Sequence, residues 1–238
     1  MAGNSRFLTA EWNHLVMLNY AVNPSLLEPF LPAGTELDSF GGKTYVSLIG
    51  FEFNRTRLRG FPVPFHQNFE EVNLRFYVRR GLKRGVVFIR ELVPKRAVAA
   101  VARWVFNENY LYVPMSHRVG MRADGEVEYA EFGWSAGRER CVMRIETEGA
   151  GFLPEEGTLS QFITDHQWGY AAQWDGGCLE YEVQHPLWLV WRAGKAGFEG
   201  DPAGFYGEEF ARILAHAPDA AFLAKGSPVT VFQGTRLS

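Results

Sequence analysis

The chain has 238 residues, with 24 Lys and Arg against 27 Asp and Glu and a formal net charge of -3. That balance leaves no electrostatic footprint for nucleic acid. Two cysteines, Cys141 and Cys178, make neither a disulfide scaffold nor a Cys-rich zinc site. Hydrophobic residues at 47% suffice for a sizeable core, and aromatics at 15% favour strands and ligand pockets. No apolar run approaches the roughly 20 residues that span a bilayer, and the N-terminus carries no apolar signal core. The expectation is a soluble protein in a reducing, cytoplasmic setting, with no nucleic-acid or membrane partner. No linker, repeat or low-complexity tract divides the chain, so residues 1–238 are read as one domain.

In chain order, residues 14–20 read as a strand. Residues 24–30 read as a short helix, with Asn23 as N-cap and Pro24 at its first position. Residues 45–53 form a strong strand with Tyr45, Ser47, Ile49, Phe51 and Phe53 on one face, and 55–67 a loop. Residues 71–78 alternate without a break: Val72, Leu74, Phe76 and Val78 share one face, Glu71, Asn73, Arg75 and Tyr77 the other. Residues 86–92 read as an apolar strand. A helix is predicted over 94–107, with Val98, Val101, Ala102 and Val105 as its apolar stripe. A meander over 110–119, 127–134 and 140–147 follows, with Asp124-Gly125 as a turn signal. After a short helix to His166 come a hairpin over 170–174 and 179–183, a strand over 187–191, a helix over 207–216 and a last strand over 229–233. Many short strands with few helices argue for a mainly β, antiparallel barrel or sandwich.

Four constellations could carry chemistry. Lys95 opens the predicted helix beside Arg96, where an adjacent cation and the helix dipole would lower the pKa of a Schiff-base lysine. The plainer reading is a surface lysine paired with Glu91. The six histidines show no i, i+3 or i, i+4 pair, so no metal motif is visible, although His166 could serve as a base. No Gly-x-Ser-x-Gly elbow occurs, and the cysteines read as small core residues. The polar face of 71–78 is either a solvated sheet face or a pocket wall. In the pocket reading Arg75 would hold a carboxylate through its fork, and Glu71 would act as acid or base if burial raised its pKa.

The ordered stretches Asn23-Pro24-Ser25-Leu26-Leu27, Tyr45 to Phe51, Glu71 to Val78, Arg84 to Phe88, His166-Gln167-Trp168-Gly169-Tyr170 and His185-Pro186-Leu187-Trp188 resemble the DUF2071 (YqjF-like) family of uncharacterised bacterial proteins. That family is similar in fold to acetoacetate decarboxylase. The resemblance therefore implies a mainly antiparallel β-barrel with a few short helices and a central polar cavity. It matches Glu71 to a cavity glutamate of the decarboxylase. Counting on without a gap from Gly85, the decarboxylase's Schiff-base lysine falls on Tyr110, with Asn109 and Leu111 beside it. A decarboxylase arginine falls at Asn13 or His14. A phenol forms no Schiff base, so both departures count against acetoacetate decarboxylation.

The reading is a barrel that binds a small polar molecule such as an organic acid. Glu71 and Tyr110 would be available for proton transfer. Asn73, Arg75 and Tyr77 would hold the ligand, and His166, Trp168 and Tyr170 would line the mouth, with no metal or organic cofactor. Chemistry would be cofactor-independent tautomerisation, hydration or lyase action, or binding without turnover. The alternatives are a Schiff-base enzyme using Lys95 on a keto acid, and an interaction module presenting Trp188, Trp191 and Phe198.

Overall fold

The computed structural model describes residues 5–136 and 139–237. The first strand, β1 (Arg6–Val22), ends at Asn23, whose side chain accepts from Ser25 N at 3.0 Å and caps α1 (Pro24–Leu27). Pro29 supplies no N–H, and the expected helix tightens into a 3-10 turn over Glu28–Phe30. The short β2 (Glu36–Leu37) leads to β3 (Thr44–Leu58), which runs past the expected end and turns back through β4 (Phe61–Pro62). The expected loop at 55–67 is thus partly a hairpin. β5 (Phe69–Arg80) and β6 (Lys83–Val93) follow as an antiparallel pair. α2 (Arg96–Phe106) ends at Asn107 in the left-handed conformation, φ 57°.

The meander is β7 (Tyr110–Tyr112), β8 (Met115–Met121), β9 (Val127–Ala136) and β10 (Glu139–Phe152). α3 (Leu159–Thr164) is capped by Thr158 and stops before His166. β11 (Trp168–Ala172) and β12 (Cys178–Gln184) make the expected hairpin. β13 (Val190–Glu199) replaces the strand expected at 187–191. Its half-exposed Arg-Ala-Gly-Lys-Ala-Gly run carries no alternation to reveal it. After α4 (Ala203–Tyr206) and α5 (Glu208–Leu214), β14 (Ala220–Phe232) begins well before the strand expected at 229, and β15 (Thr235–Leu237) closes the chain. No helix among the described residues is long and apolar enough to cross a membrane.

The strands pair in the order β12-β11-β6-β5-β3-β1-β14, and β14 returns to β12 through Val183↔Val231 and Gln184↔Thr230. The ring is uneven. β11 meets β6 in parallel through two pairs, whereas β1, β3 and β5 share long antiparallel ladders. From β14 the sheet continues through β13, β10, β9 and β8. This extension packs its Phe132 and Met143 onto the outer face of β1, β3 and β5, made of Val16, Leu18, Leu48, Val72 and Leu74. Gly50 lets the layers approach: a Cβ there would lie 2.8 Å from Met143 Sδ and 3.0 Å from the Phe132 ring. The inner face of β3 and β5 carries Ile49, Phe51, Phe53 and Phe69.

A His–Glu network fastens β8 to the ring. His117 places Nε2 2.7 Å from Glu52 Oε1 and Nδ1 2.9 Å from Glu70 Oε1, and His14 Nδ1 lies 2.7 Å from Glu52 Oε2. The two carboxylates push the His117 imidazole up to about 10. Its folded value exceeds its unfolded one, so its contribution to stability is complete below about 6.5 and is lost progressively as pH rises from there through about 10. In an NMR titration His117 is expected to remain an imidazolium through neutral pH. A midpoint near the ordinary 6.5 would show the network is not formed.

The aromatic patch expected of an interaction module is not there. Trp188 and Trp191 are buried, and Phe198 packs against Trp134 with ring centroids 5.7 Å apart.

Candidate functional site

Strand alternation turns Glu71, Asn73 and Arg75 of β5 into the ring, and all three are buried. β6 pairs with β5 so that Glu91 stands beside Asn73, and β7 pairs with β6 so that Tyr110 stands beside Glu91. Three adjacent strands thereby place Asn73, Glu91 and Tyr110 in one line. The Tyr110 hydroxyl donates to Glu71 Oε2 at 3.1 Å, and Asn73 Nδ2 donates to Glu71 Oε1 at 3.0 Å. Glu108, just ahead of β7, accepts from the Tyr181 hydroxyl of β12 at 2.9 Å. These groups border a cavity of about 220 Å³ whose remaining wall is mostly apolar and aromatic.

Three carboxyls buried beside one another cannot all be charged. Burial pushes Glu71 up to about 7, against the opposing pull of Asn73, Tyr110 and Arg75. Burial pushes Glu108 up to about 8 despite its bond from Tyr181. Glu91 is also raised, first by burial and then by the charges of Glu108 and Glu71, and its Oε2 has no partner. Burial holds the Tyr110 and Tyr181 phenols neutral as well. At neutral pH the cluster is therefore largely protonated and acts as a set of donors.

Arg75 is the one arginine or lysine lining the cavity among the described residues. Its Nη2 donates to the Ile163 carbonyl at 3.2 Å, which ties it to α3, while Nε is buried with no partner. A guanidinium with donors to spare beside neutral carboxyls leaves the cavity receptive to an anion.

The expected site residues divide on placement. Glu71, Asn73, Arg75 and Tyr110 converge. His166 and Trp168 border the same cavity. Burial lowers His166 to about 4, so it is a neutral imidazole, with Nε2 3.7 Å from Asp38 Oδ2. Tyr77 shares the inner face but does not reach the cavity. Its hydroxyl lies 2.6 Å from Ser47 Oγ, and its ring packs between Phe162 and His166. Tyr170 does not line the mouth either. It belongs to the core on the other side of β11. The cavity side of β11 is marked by Gly169, where a Cβ would lie 2.2 Å from the ring of Tyr181. Trp168 accordingly holds its indole under the Lys83 ammonium, 3.7 Å from the ring centroid.

Lys95 precedes α2 and is not part of the cavity wall, so the Schiff-base alternative has no lysine in place. Asn13 and His14 do not line the cavity, and His14 is committed to Glu52. Cys141 and Cys178 are buried, with thiols pushed up by burial to about 12 and about 11, which removes them as nucleophiles. Glu108 and Tyr181 were not singled out from the sequence, and Glu91 was read only as a surface partner of Lys95, whereas it is buried in the cavity wall and makes no ion pair with Lys95. Glu91 follows Arg90 inside the otherwise apolar run from Val86 to Val93, and that acidic residue was the available signal.

Residues 9–228 match DUF2071, an uncharacterized conserved protein family. The chain belongs to the DUF2071 family. A relative, the uncharacterized protein YqjF of Bacillus subtilis (strain 168), is 28% identical over 184 residues, 76% of this chain and 74% of its own. Among solved structures, acetoacetate decarboxylase from Legionella pneumophila is similar with a TM-score of 0.70 and 11% identity, covering 97% of this chain and 87% of its own. The enduracididine biosynthesis enzyme MppR complexed with pyruvate is similar with a TM-score of 0.68 and 14% identity, covering 97% and 90%. The expected acetoacetate decarboxylase-like, mainly β fold is therefore present in this DUF2071 member.

Proposed function

We propose that the cavity binds a small organic acid carrying a carbonyl group and transfers a proton at the carbon beside that carbonyl, without a Schiff base. The observation that carries this reading is the juxtaposition of a buried, underused guanidinium, Arg75, with a carboxyl tuned to about 7, Glu71. Arg75 takes the ligand carboxylate. Ionised Glu71 removes the C–H proton, the electron pair moves into the carbonyl, and the resulting enolate oxygen accepts from a neutral carboxyl of Glu91 or Glu108. Return of the proton at either site completes a tautomerisation. Loss of a neighbouring group instead gives a lyase reaction. That MppR holds pyruvate, a 2-oxo acid, in the same fold supports this ligand class.

The test is deuterium exchange. Incubated in D₂O with a panel of 2-oxo acids, the protein is expected to speed loss of the proton signals beside the carbonyl. Arg75→Met is expected to weaken binding on the order of a hundredfold, the loss of two hydrogen bonds to a charged group. If no member of the panel exchanges above the buffer rate, or if Arg75→Met binds as the parent does, the proposal fails.

A further inference from the structure

The cavity is chemically divided along its length. On the inner row of β5, Arg75, Asn73 and Glu71 are followed by Phe69. Opposite them on β3 stand Ile49, Phe51 and Phe53, paired with Asn73, Glu71 and Phe69. Phe53 and Phe69 stack with centroids 4.7 Å apart, and Trp12 of β1 meets Phe51 and Phe53 edge-on at 5.1 and 5.7 Å. From Arg75 to Phe69 is six strand residues, roughly 20 Å. One end of this row offers a cation and hydrogen-bond donors. The other offers mainly aromatic faces, with Trp12 Nε1 and Thr56 Oγ1 as its unpartnered polar atoms.

α2 extends the apolar half. Its Val98, Val101 and Ala102 border the cavity, although Val101 remains 40% exposed. The residues that α2 buries most are Ala99 and Phe106, and Phe106 borders the cavity as well. Val98, Val101 and Ala102 of the predicted stripe thus border the cavity, Val98 while also packing on the core, whereas Val105 packs against the Phe7, Phe106 and Tyr181 cluster. Ala97 and Ala102, both on that side, leave room a larger side chain would take. An acid as short as pyruvate, held at Arg75, would leave this half uncovered, and uncovered apolar wall is costly at about 25 cal/mol per Å².

We propose that the ligand is amphiphilic: a carbonyl acid whose carboxylate lies at Arg75 and whose apolar tail of several carbons lies between the aromatic wall of β1, β3 and β5 and the Val98–Ala102 side of α2. This rests on the carboxylate reading above and specifies its substrate class.

The test is a chain-length series of straight-chain 2-oxo acids, from pyruvate to 2-oxodecanoate, titrated calorimetrically against the whole protein. Affinity is expected to rise about threefold to fourfold per added methylene until the tail fills the apolar half. Ala102→Phe, at a partly exposed position on the cavity side of α2, is expected to lower the ratio of long-chain to short-chain affinity at least tenfold. A flat series with measurable pyruvate binding overturns the amphiphile and leaves the carboxylate reading standing. An unchanged ratio in Ala102→Phe overturns it as well, since the gain with length would then arise elsewhere. Decanol binding as tightly as 2-oxodecanoate, with no loss in Arg75→Met, overturns the carboxylate reading and this inference with it.

Discussion

Glu108→Gln is expected to raise stability at about pH 8.5 and to change it little at about pH 5. Burial pushes the Glu108 carboxyl from 4.5 to about 8. A carboxyl with a raised folded pKa holds its proton more tightly in the folded chain. Its stabilising contribution is complete below about 4.5 and is lost as pH rises through about 8. Glu71, raised to about 7, and Glu91, also raised, act in the same sense. His166 opposes them. Burial lowers it from 6.5 to about 4, so between those values the unfolded chain binds a proton that the folded chain does not. His185, lowered by burial too, acts with His166, but two histidines against three carboxyls leave the carboxyls ahead, and the parent protein is expected to lose stability from about pH 5 upward. Glutamine keeps the shape of Glu108, accepts from Tyr181 through its amide oxygen and needs no proton. The gain at the higher pH is on the order of a few kcal/mol. Urea midpoints of parent and variant at the two pH values measure it. An equal shift at both would show that Glu108 is not held protonated by burial.

The part of this site that lay on one strand was legible in the sequence. The alternation of Glu71 to Val78 assigned both faces correctly, because a period of two needs no knowledge of neighbours. The opposing Tyr110 came from the family resemblance, through its spacing from Gly85, and its hydroxyl does reach Glu71. What stayed hidden depends on which strands become neighbours. Glu91 matters because β6 lies between β5 and β7, and Glu108 because Tyr181 of a distant hairpin reaches across to it. Neither relation has a local signature. Tyr170 was misplaced for a related reason. A five-residue strand with apolar residues on both faces does not say which face is inward, and here the small residue, Gly169, marks the cavity side. Tyr77 lies on the correct face but beyond the point where α3 covers it with Phe162. The ring closure and the long β14 escaped because half-exposed strands such as β13 carry no clear alternation.

Glu71→Gln is expected to reduce the catalysed exchange of the proton beside the carbonyl by about 10²–10⁴-fold while leaving ligand affinity within a few-fold, the usual loss of a general base. Glutamine is isosteric, still accepts from Asn73 through its amide oxygen and can donate from its amide nitrogen to the Tyr110 oxygen, so the loss reports proton transfer rather than fold. In the parent the rate is expected to rise with pH through about 7, as Glu71 ionises. The cluster titrates as a unit, and that midpoint belongs to Glu71 with its neighbours. Tyr110→Phe separates the terms. The Tyr110 hydroxyl favours the ionised form of Glu71, so its removal is expected to move the rising limb to higher pH. Arg75→Met acts in the same direction by withdrawing a positive charge, but it weakens binding too, whereas Tyr110→Phe is expected to shift the limb with affinity nearly unchanged. A parent rate independent of pH between about 5 and 8, or full exchange in Glu71→Gln, would assign the base elsewhere in the cavity. Glu91 is then the next group to replace. It stands one strand away, its Oε2 is unpartnered, and in the absence of the Glu71 charge its own proton is released more readily.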